Sequence, residues 1–126
     1  MGEPGAQAVK ALVDRAKSGE FDIVGSELLY VEVLAEGSEE LLAAGVRTWA
    51  AIDHRVAMQV REFRLRALSE ERPIRNMTPD IIHMATAVVA GAEAFITSDT
   101  ACKALAEYFG LPAFGRGEFP EGELFT

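Results

Sequence analysis

Apolar residues recur along this chain in two rhythms, a three-to-four spacing over long stretches and short unbroken runs, with glycines between them. The first rhythm predicts helices. Pro4 to Ser18 carries the stripe Val9, Leu12, Val13 and Ala16, and Glu27 to Glu36 carries Leu28, Val31 and Ala35. Ser38 to Ala44 is a short helix, and His54 to Leu68 has Val56, Val60, Phe63 and Ala67, with Ala57 and Leu68 beside them. Pro79 to Ala90 and Thr100 to Phe109 complete the set, the latter with Ala101, Leu105 and Tyr108 as its apolar positions. Ser26, Ser38, Asp53 and Thr78 are suited to N-caps, and Gly19, Gly37, Gly45, Gly91 and Gly110 to helix stops. The second rhythm predicts strands at Phe21–Val24, Val46–Ile52, Ala94–Thr97 and Leu111–Phe114. Strands that alternate with helices imply an α/β fold, a mainly parallel sheet with helices on both faces.

The length of 126 residues fits one domain, taken as residues 1–114, followed by a tail at 115–126 rich in Gly, Pro and Glu. A hydrophobic content of 49% with 25% charge favours neither disorder nor a membrane protein. No apolar run is long enough to cross a bilayer and no signal peptide is visible, and the single cysteine, Cys102, suits a reducing cytoplasm. Cys102 reads as a small residue packed on a helix. The net charge of −8 argues against a general nucleic-acid binder without excluding a local basic surface. Six of the 12 Lys+Arg lie between Arg55 and Arg75, against Glu62, Glu70 and Glu71 only, so that segment is either an ion-paired helix face or a functional basic one.

Chemistry concentrates in Thr78–Asp99. Asp80 lies in the first turn of a helix, behind Pro79, where a negative charge is favoured. Asp99 follows the carboxyl end of a buried strand, the position at which open α/β sheets place their ligand sites. Glu32 is a third acid out of place, set among Val31, Val33 and Leu34, on the helix that leaves the first strand. Carboxylates gathered at a dry rim repel each other unless a cation holds them. Hard oxygen donors suit Mg²⁺ or Mn²⁺, which activates water and steadies an in-line phosphoryl displacement.

These segments resemble the PIN-domain family, metal-dependent ribonucleases that include the toxins of type II toxin–antitoxin pairs. Ser26-Glu27-Leu28-Leu29-Tyr30-Val31-Glu32 resembles its strand-to-helix motif. Thr78-Pro79-Asp80-Ile81-Ile82-His83-Met84-Ala85-Thr86-Ala87 resembles its PDAIHLATA segment, and Gly91 to Asp99 its GADAFVTND segment. The likeness runs from about Ala8 to Phe114, and the last two motifs together are the specific ones. It implies a three-layer PIN-like sandwich and an RNA-cleaving enzyme. Glu32, Asp80 and Asp99 would be metal ligands and Thr97 a hydroxyl that orients a carboxylate or water. It also implies Mg²⁺ or Mn²⁺ as cofactor, and RNA, a small antitoxin protein and a second copy of the chain as partners. His83, one turn from Asp80, reads as a packed helix residue; Arg61 and Arg64 read first as surface ion-pairing residues and second as cations for RNA phosphate or a partner's acids.

The family's sheet has the order 3-2-1-4-5, and its central first strand bears a further aspartate. No apolar run ending in Asp precedes Phe21, and Asp14 sits within a helix. The expectation is a slot between the strands at Phe21–Val24 and Ala94–Thr97. Three explanations order themselves: a start upstream of Met1, a strand supplied by another chain or by the tail near Leu124-Phe125, or a rearranged sheet without activity. The second functional reading is therefore a degenerate PIN scaffold that binds a partner or RNA without cutting. A phosphate-handling α/β domain is the weakest, because no Gly-rich phosphate loop is present.

Overall fold

The computed structural model describes residues 4–26, 46–97 and 99–115. The two helices predicted over Glu27–Glu36 and Ser38–Ala44, with Glu32, lie outside the described residues. The described elements are, in order, α1 (Pro4–Lys17), β1 (Val24–Ser26), β2 (Thr48–Ala50), α2 (His54–Ser69), α3 (Thr78–Val89), β3 (Phe95–Ile96), α4 (Thr100–Tyr108) and β4 (Ala113–Phe114). The chain is a mixed α/β protein with short parallel strands: β1 pairs with β2, and β3 with β4.

The two pairs form separate two-stranded sheets. Among the described residues the strands at β1 and β3 are not paired with each other. The ladder geometry shows which edges remain. The carbonyl of Ile23 accepts from the N–H groups of Arg47 and Thr48, so Ile23 and Gly25 face β2. The N–H groups of Phe95 and Thr97 donate to Pro112 and Phe114 across β3–β4. Backbone groups alternate along a strand, so Val24 and Ile96 turn theirs to the opposite edges.

The first strand is displaced from its predicted place. The sequence reading set it at Phe21–Val24, whereas the ladder begins at Val24, which is 39% exposed. At Gly25 the approach of β2 is close: a Cβ there would lie 3.0 Å from Cζ3 of Trp49 and from both γ-methyls of Val46, so any larger residue would require those side chains to give way.

Helices α2, α3 and α4 build the core. Buried Val56, Phe63 and Ala67 of α2 meet Ile81, Met84 and Ala85 of α3 and Cys102, Leu105, Ala106 and Phe109 around α4, and Leu111 and Ala113 close the cluster. Phe63 and Phe109 stack with centroids 4.1 Å apart at 15°. The α2 stripe is as predicted, but the two residues set beside it are not buried: Ala57 is exposed and Leu68 is 61% exposed. On α4 the buried face is rotated from the predicted one. Ala101 is exposed and Tyr108 half-buried, while Cys102, Leu105, Ala106 and Phe109 are buried at i, i+3, i+4 and i+7. Tyr108 sits at the margin because its hydroxyl needs a polar partner; it donates to Glu70, and Arg66 and Arg72 lie over its ring at 4.6 and 4.5 Å.

The helix ends follow local rules with one exception. Asp53 caps α2, its Oδ1 accepting from the N–H groups of Arg55 and Val56 at 3.0 and 3.3 Å. The Arg55 guanidinium and then the Val56 N–H hold the Asp53 carboxyl below its ordinary value. Thr78, expected to be the N-cap of α3, is instead its first helical residue. Met77 occupies the cap position without a side-chain hydrogen bond, and Pro79 in the first turn leaves one fewer N–H to satisfy. Gly91, at φ +75°, closes α3, with its N–H bonded to Val88 and that of Ala92 to Ala87.

Candidate metal-binding rim

Three of the four predicted site residues fall within the described residues, and the fold brings them to one place. Thr97 stands just beyond β3, and Asp99 stands two residues later. Asp80 enters from the first turn of α3, a different element. The meeting point is Cys102, one turn into α4. Its thiol lies close to the Thr97 hydroxyl and the Asp80 carboxylate, and within the fields of both aspartates. Burial pushes this thiol up to about 11, and the Asp80 charge adds to the effect, followed by that of Asp99; the Thr97 hydroxyl opposes them.

Asp99 has a structural task as well as a position. Its Oδ1 accepts from the N–H groups of Ala101 and Cys102 at 2.8 and 3.1 Å, which makes it the N-cap of α4. The backbone N–H of Asp99 itself donates to Oγ1 of Thr97 at 3.2 Å. The Thr97 hydroxyl therefore fixes the turn from which the carboxylate projects. Among the described residues Oδ2 of Asp99 receives no hydrogen bond, which leaves one carboxylate oxygen available to a cation while the other holds the helix.

The donor set is two carboxylates and a hydroxyl, all hard oxygen, beside one buried sulfur. Oxygen donors of this kind fit Mg²⁺ or Mn²⁺. Among the described residues no group of three His, Cys, Asp or Glu side chains is arranged to hold a metal ion. Glu32, the third predicted ligand, lies outside the described residues. His83 is half-buried on α3.

The cap role of Asp99 was missed by reading it only as a strand-end acid, although Asp99-Thr100 before a helical stripe carries that signal. Cys102 was read as a packed residue, and it is 3% exposed. Its place between the two acids followed from being three residues beyond the cap, on the inner side of the first turn.

The arginine segment divides in two. Arg55 pairs with Asp53 at 3.0 Å, Arg66 with Glu70 at 3.7 Å, and Arg72 lies over Tyr108. Arg61, Arg64 and Arg75 make no ion pair or hydrogen bond among the described residues. No helix among the described residues is long and apolar enough to cross a membrane. No family model and no curated protein matches this chain.

Proposed function

We propose that this protein is a metal-dependent endoribonuclease of the PIN type, with a PIN-like sandwich as its fold, and that it acts as the toxin of a toxin–antitoxin pair. The observation that carries the reading is the convergence of Asp80 and Asp99, from two different helices, on one buried point at the end of a parallel strand. The motifs that contain them supply the family. Asp80 and Asp99 would hold Mg²⁺ or Mn²⁺, with Glu32 as third ligand, and Thr97 sets the turn that aims Asp99. When bound, the cation supplies an activated water and charge stabilisation for phosphodiester hydrolysis. RNA as substrate, an antitoxin that covers the rim, and a homodimer belong to the same reading, as does a cytoplasmic location.

A second reading, a PIN scaffold that binds without cutting, is favoured by one observation. The described rim has two carboxylates, and the strand that would bring another is not among the described elements. One experiment separates the two. Purified protein is assayed for cleavage of a single-stranded RNA in Mg²⁺, with and without chelator, alongside Asp99→Asn. In parallel the Tm is followed as Mg²⁺ is added. The nuclease reading expects cleavage that is lost with chelator and with the variant. It also expects a Mg²⁺-dependent rise in stability, about 2.7 kcal/mol at a hundredfold excess over Kd, that the variant lacks. Cleavage that survives both changes refutes a metal nuclease, and the absence of cleavage together with an unmoved Tm leaves the binding scaffold.

A further inference from the structure

The connection between α2 and α3 is a shaped wall. Glu71 and Asn76 within it are the two non-glycine residues of the described chain with positive φ, at 56° and 65°, a conformation that persists only where the surroundings fix it. The N–H of Arg72 donates to the Ala67 carbonyl at 2.7 Å and that of Met77 to the Ile74 carbonyl at 3.1 Å, so the segment is pinned. It bounds a groove of about 480 Å³ whose lining includes Arg64, Arg72, Arg75, Asn76 and Thr78. A second part, of about 310 Å³, continues along α2 past Arg61 and Leu65, and the two parts share Arg64 and Leu68. Thr78 is the first residue of α3, and the first turn of that helix also holds Asp80. The groove therefore runs from the middle of α2 to the turn that carries one acid of the rim.

Its charge is opposite to that of the molecule. Four arginines line the two parts against one acid, Glu71, on a chain of net charge −8. Arg72 lies over the Tyr108 ring, whereas Arg61, Arg64 and Arg75 have no ion-pair partner among the described residues. A second copy of this face would set the cations against each other, which disfavours a two-fold contact here. Unpaired guanidiniums present planar donor forks that match phosphate oxygens. The lining has aliphatic side chains and no aromatic ring, so nothing in it stacks a base. Leu65 and Leu68, 49% and 61% exposed, offer apolar contact that does not depend on base identity. We propose that the groove is a phosphate track for single-stranded RNA, in which Arg61, Arg64 and Arg75 hold the backbone of a strand that continues to Asp80 and Asp99. The inference rests on the nuclease reading for its substrate and adds the residues that bind it. Recognition is then of the backbone, dependent on salt and indifferent to sequence, and Glu71 weakens it.

The test uses the full chain. Binding of a fluorescein-labelled oligouridylate is followed by anisotropy in chelator, where no metal-dependent cleavage intervenes. Three phosphate contacts predict a slope of about −2 for log K against log salt, so that a fourfold rise in salt weakens binding about twentyfold. Each of Arg61→Gln, Arg64→Gln and Arg75→Gln should reduce the magnitude of that slope by about 0.7. Glu71→Gln should tighten binding, and replacing the three arginines by lysine should keep the slope, two results that an unfolded variant cannot give. Oligoadenylate should bind as oligouridylate does. A wild type that does not bind, or an affinity and slope unmoved in Arg61→Gln/Arg64→Gln/Arg75→Gln, overturns the proposal. A Glu/Leu peptide of matched charge that binds more tightly than the oligonucleotide and displaces it assigns the groove to a protein partner and overturns it as well. Cleavage in Mg²⁺ separates this proposal from the nuclease reading. RNA that is held through the arginines but never cut removes the nuclease and keeps the track. RNA that is cut with a KM unmoved by the triple glutamine substitution keeps the nuclease and removes the track.

Discussion

At the scale of single residues, Asp99 has a structural role and a candidate chemical one, and substitution can separate them. Its Oδ1 caps α4 through the Ala101 and Cys102 amides. Alanine removes the cap and should lower stability by about 1 kcal/mol, whereas asparagine caps almost as well as aspartate. Urea denaturation should therefore place Asp99→Asn near the wild type and Asp99→Ala below it, although both lose the charge a cation requires. Equal losses in the two variants would mean that the carboxylate charge, not the cap, stabilises the helix. Cys102 supports a second prediction, on pH. Its folded-state value, about 11, lies above the ordinary thiol value of 9.0. The folded protein thus holds this proton more tightly than the unfolded chain does. The associated stability is complete below about pH 9 and is lost as pH rises towards 11. In metal-free buffer the wild type should lose stability over that window more steeply than Cys102→Ala, and identical slopes would count against a buried neutral thiol.

At the scale of elements, the sequence was most legible where one periodic face met one core. The stripe Val56, Phe63, Ala67 on α2 and the set Ile81, Met84, Ala85 on α3 are buried as their spacing implies. The Asp53 cap was legible because an aspartate directly precedes the periodic segment. What the pattern did not disclose depended on partners distant in sequence. Tyr108 counted as apolar until Glu70, Arg66 and Arg72 were placed around it. The close approach at Gly25 depends on Val46 and Trp49, both far along the chain. Of the candidate site, Asp80, Thr97 and Asp99 were each legible, but that they share Cys102 as neighbour was not, because that depends on how α3 docks beside α4. Between α2 and the end of α4 the core holds a stacked ring pair, Phe63 and Phe109. Phe63→Ala removes a ring that is only 7% exposed and should cost about 3–5 kcal/mol in equilibrium unfolding. A loss below about 1 kcal/mol would show that the pair lies at a margin that collapses freely rather than in a packed interior.

At the scale of the whole molecule, the two strand pairs are unequally anchored. The buried cluster draws on α2, α3, α4 and the chain through Leu111 and Ala113, and includes no residue of β1 or β2. The β3–β4 pair rests on α4, whereas β1 reaches the cluster's helices through α3. Around β1–β2, Val24 and Ile52 are 39% and 42% exposed, and the edge of β1 away from β2 has no strand beside it among the described residues. Local stability follows buried contact and ladder completeness, so β1–β2 should open at lower free energy than the helices. The chain offers a direct probe, because its one tryptophan, Trp49, lies in β2, while far-UV circular dichroism is dominated by the helices. In a urea titration the Trp49 fluorescence midpoint should precede the dichroism midpoint, a departure from two-state behaviour. Coincident transitions would mean that β1–β2 unfolds only with the core. An extended segment that completes the β1 edge would act on the same measurement, moving the fluorescence midpoint towards the dichroism midpoint while leaving the latter nearly fixed, because the added pairing stabilises the weaker unit alone.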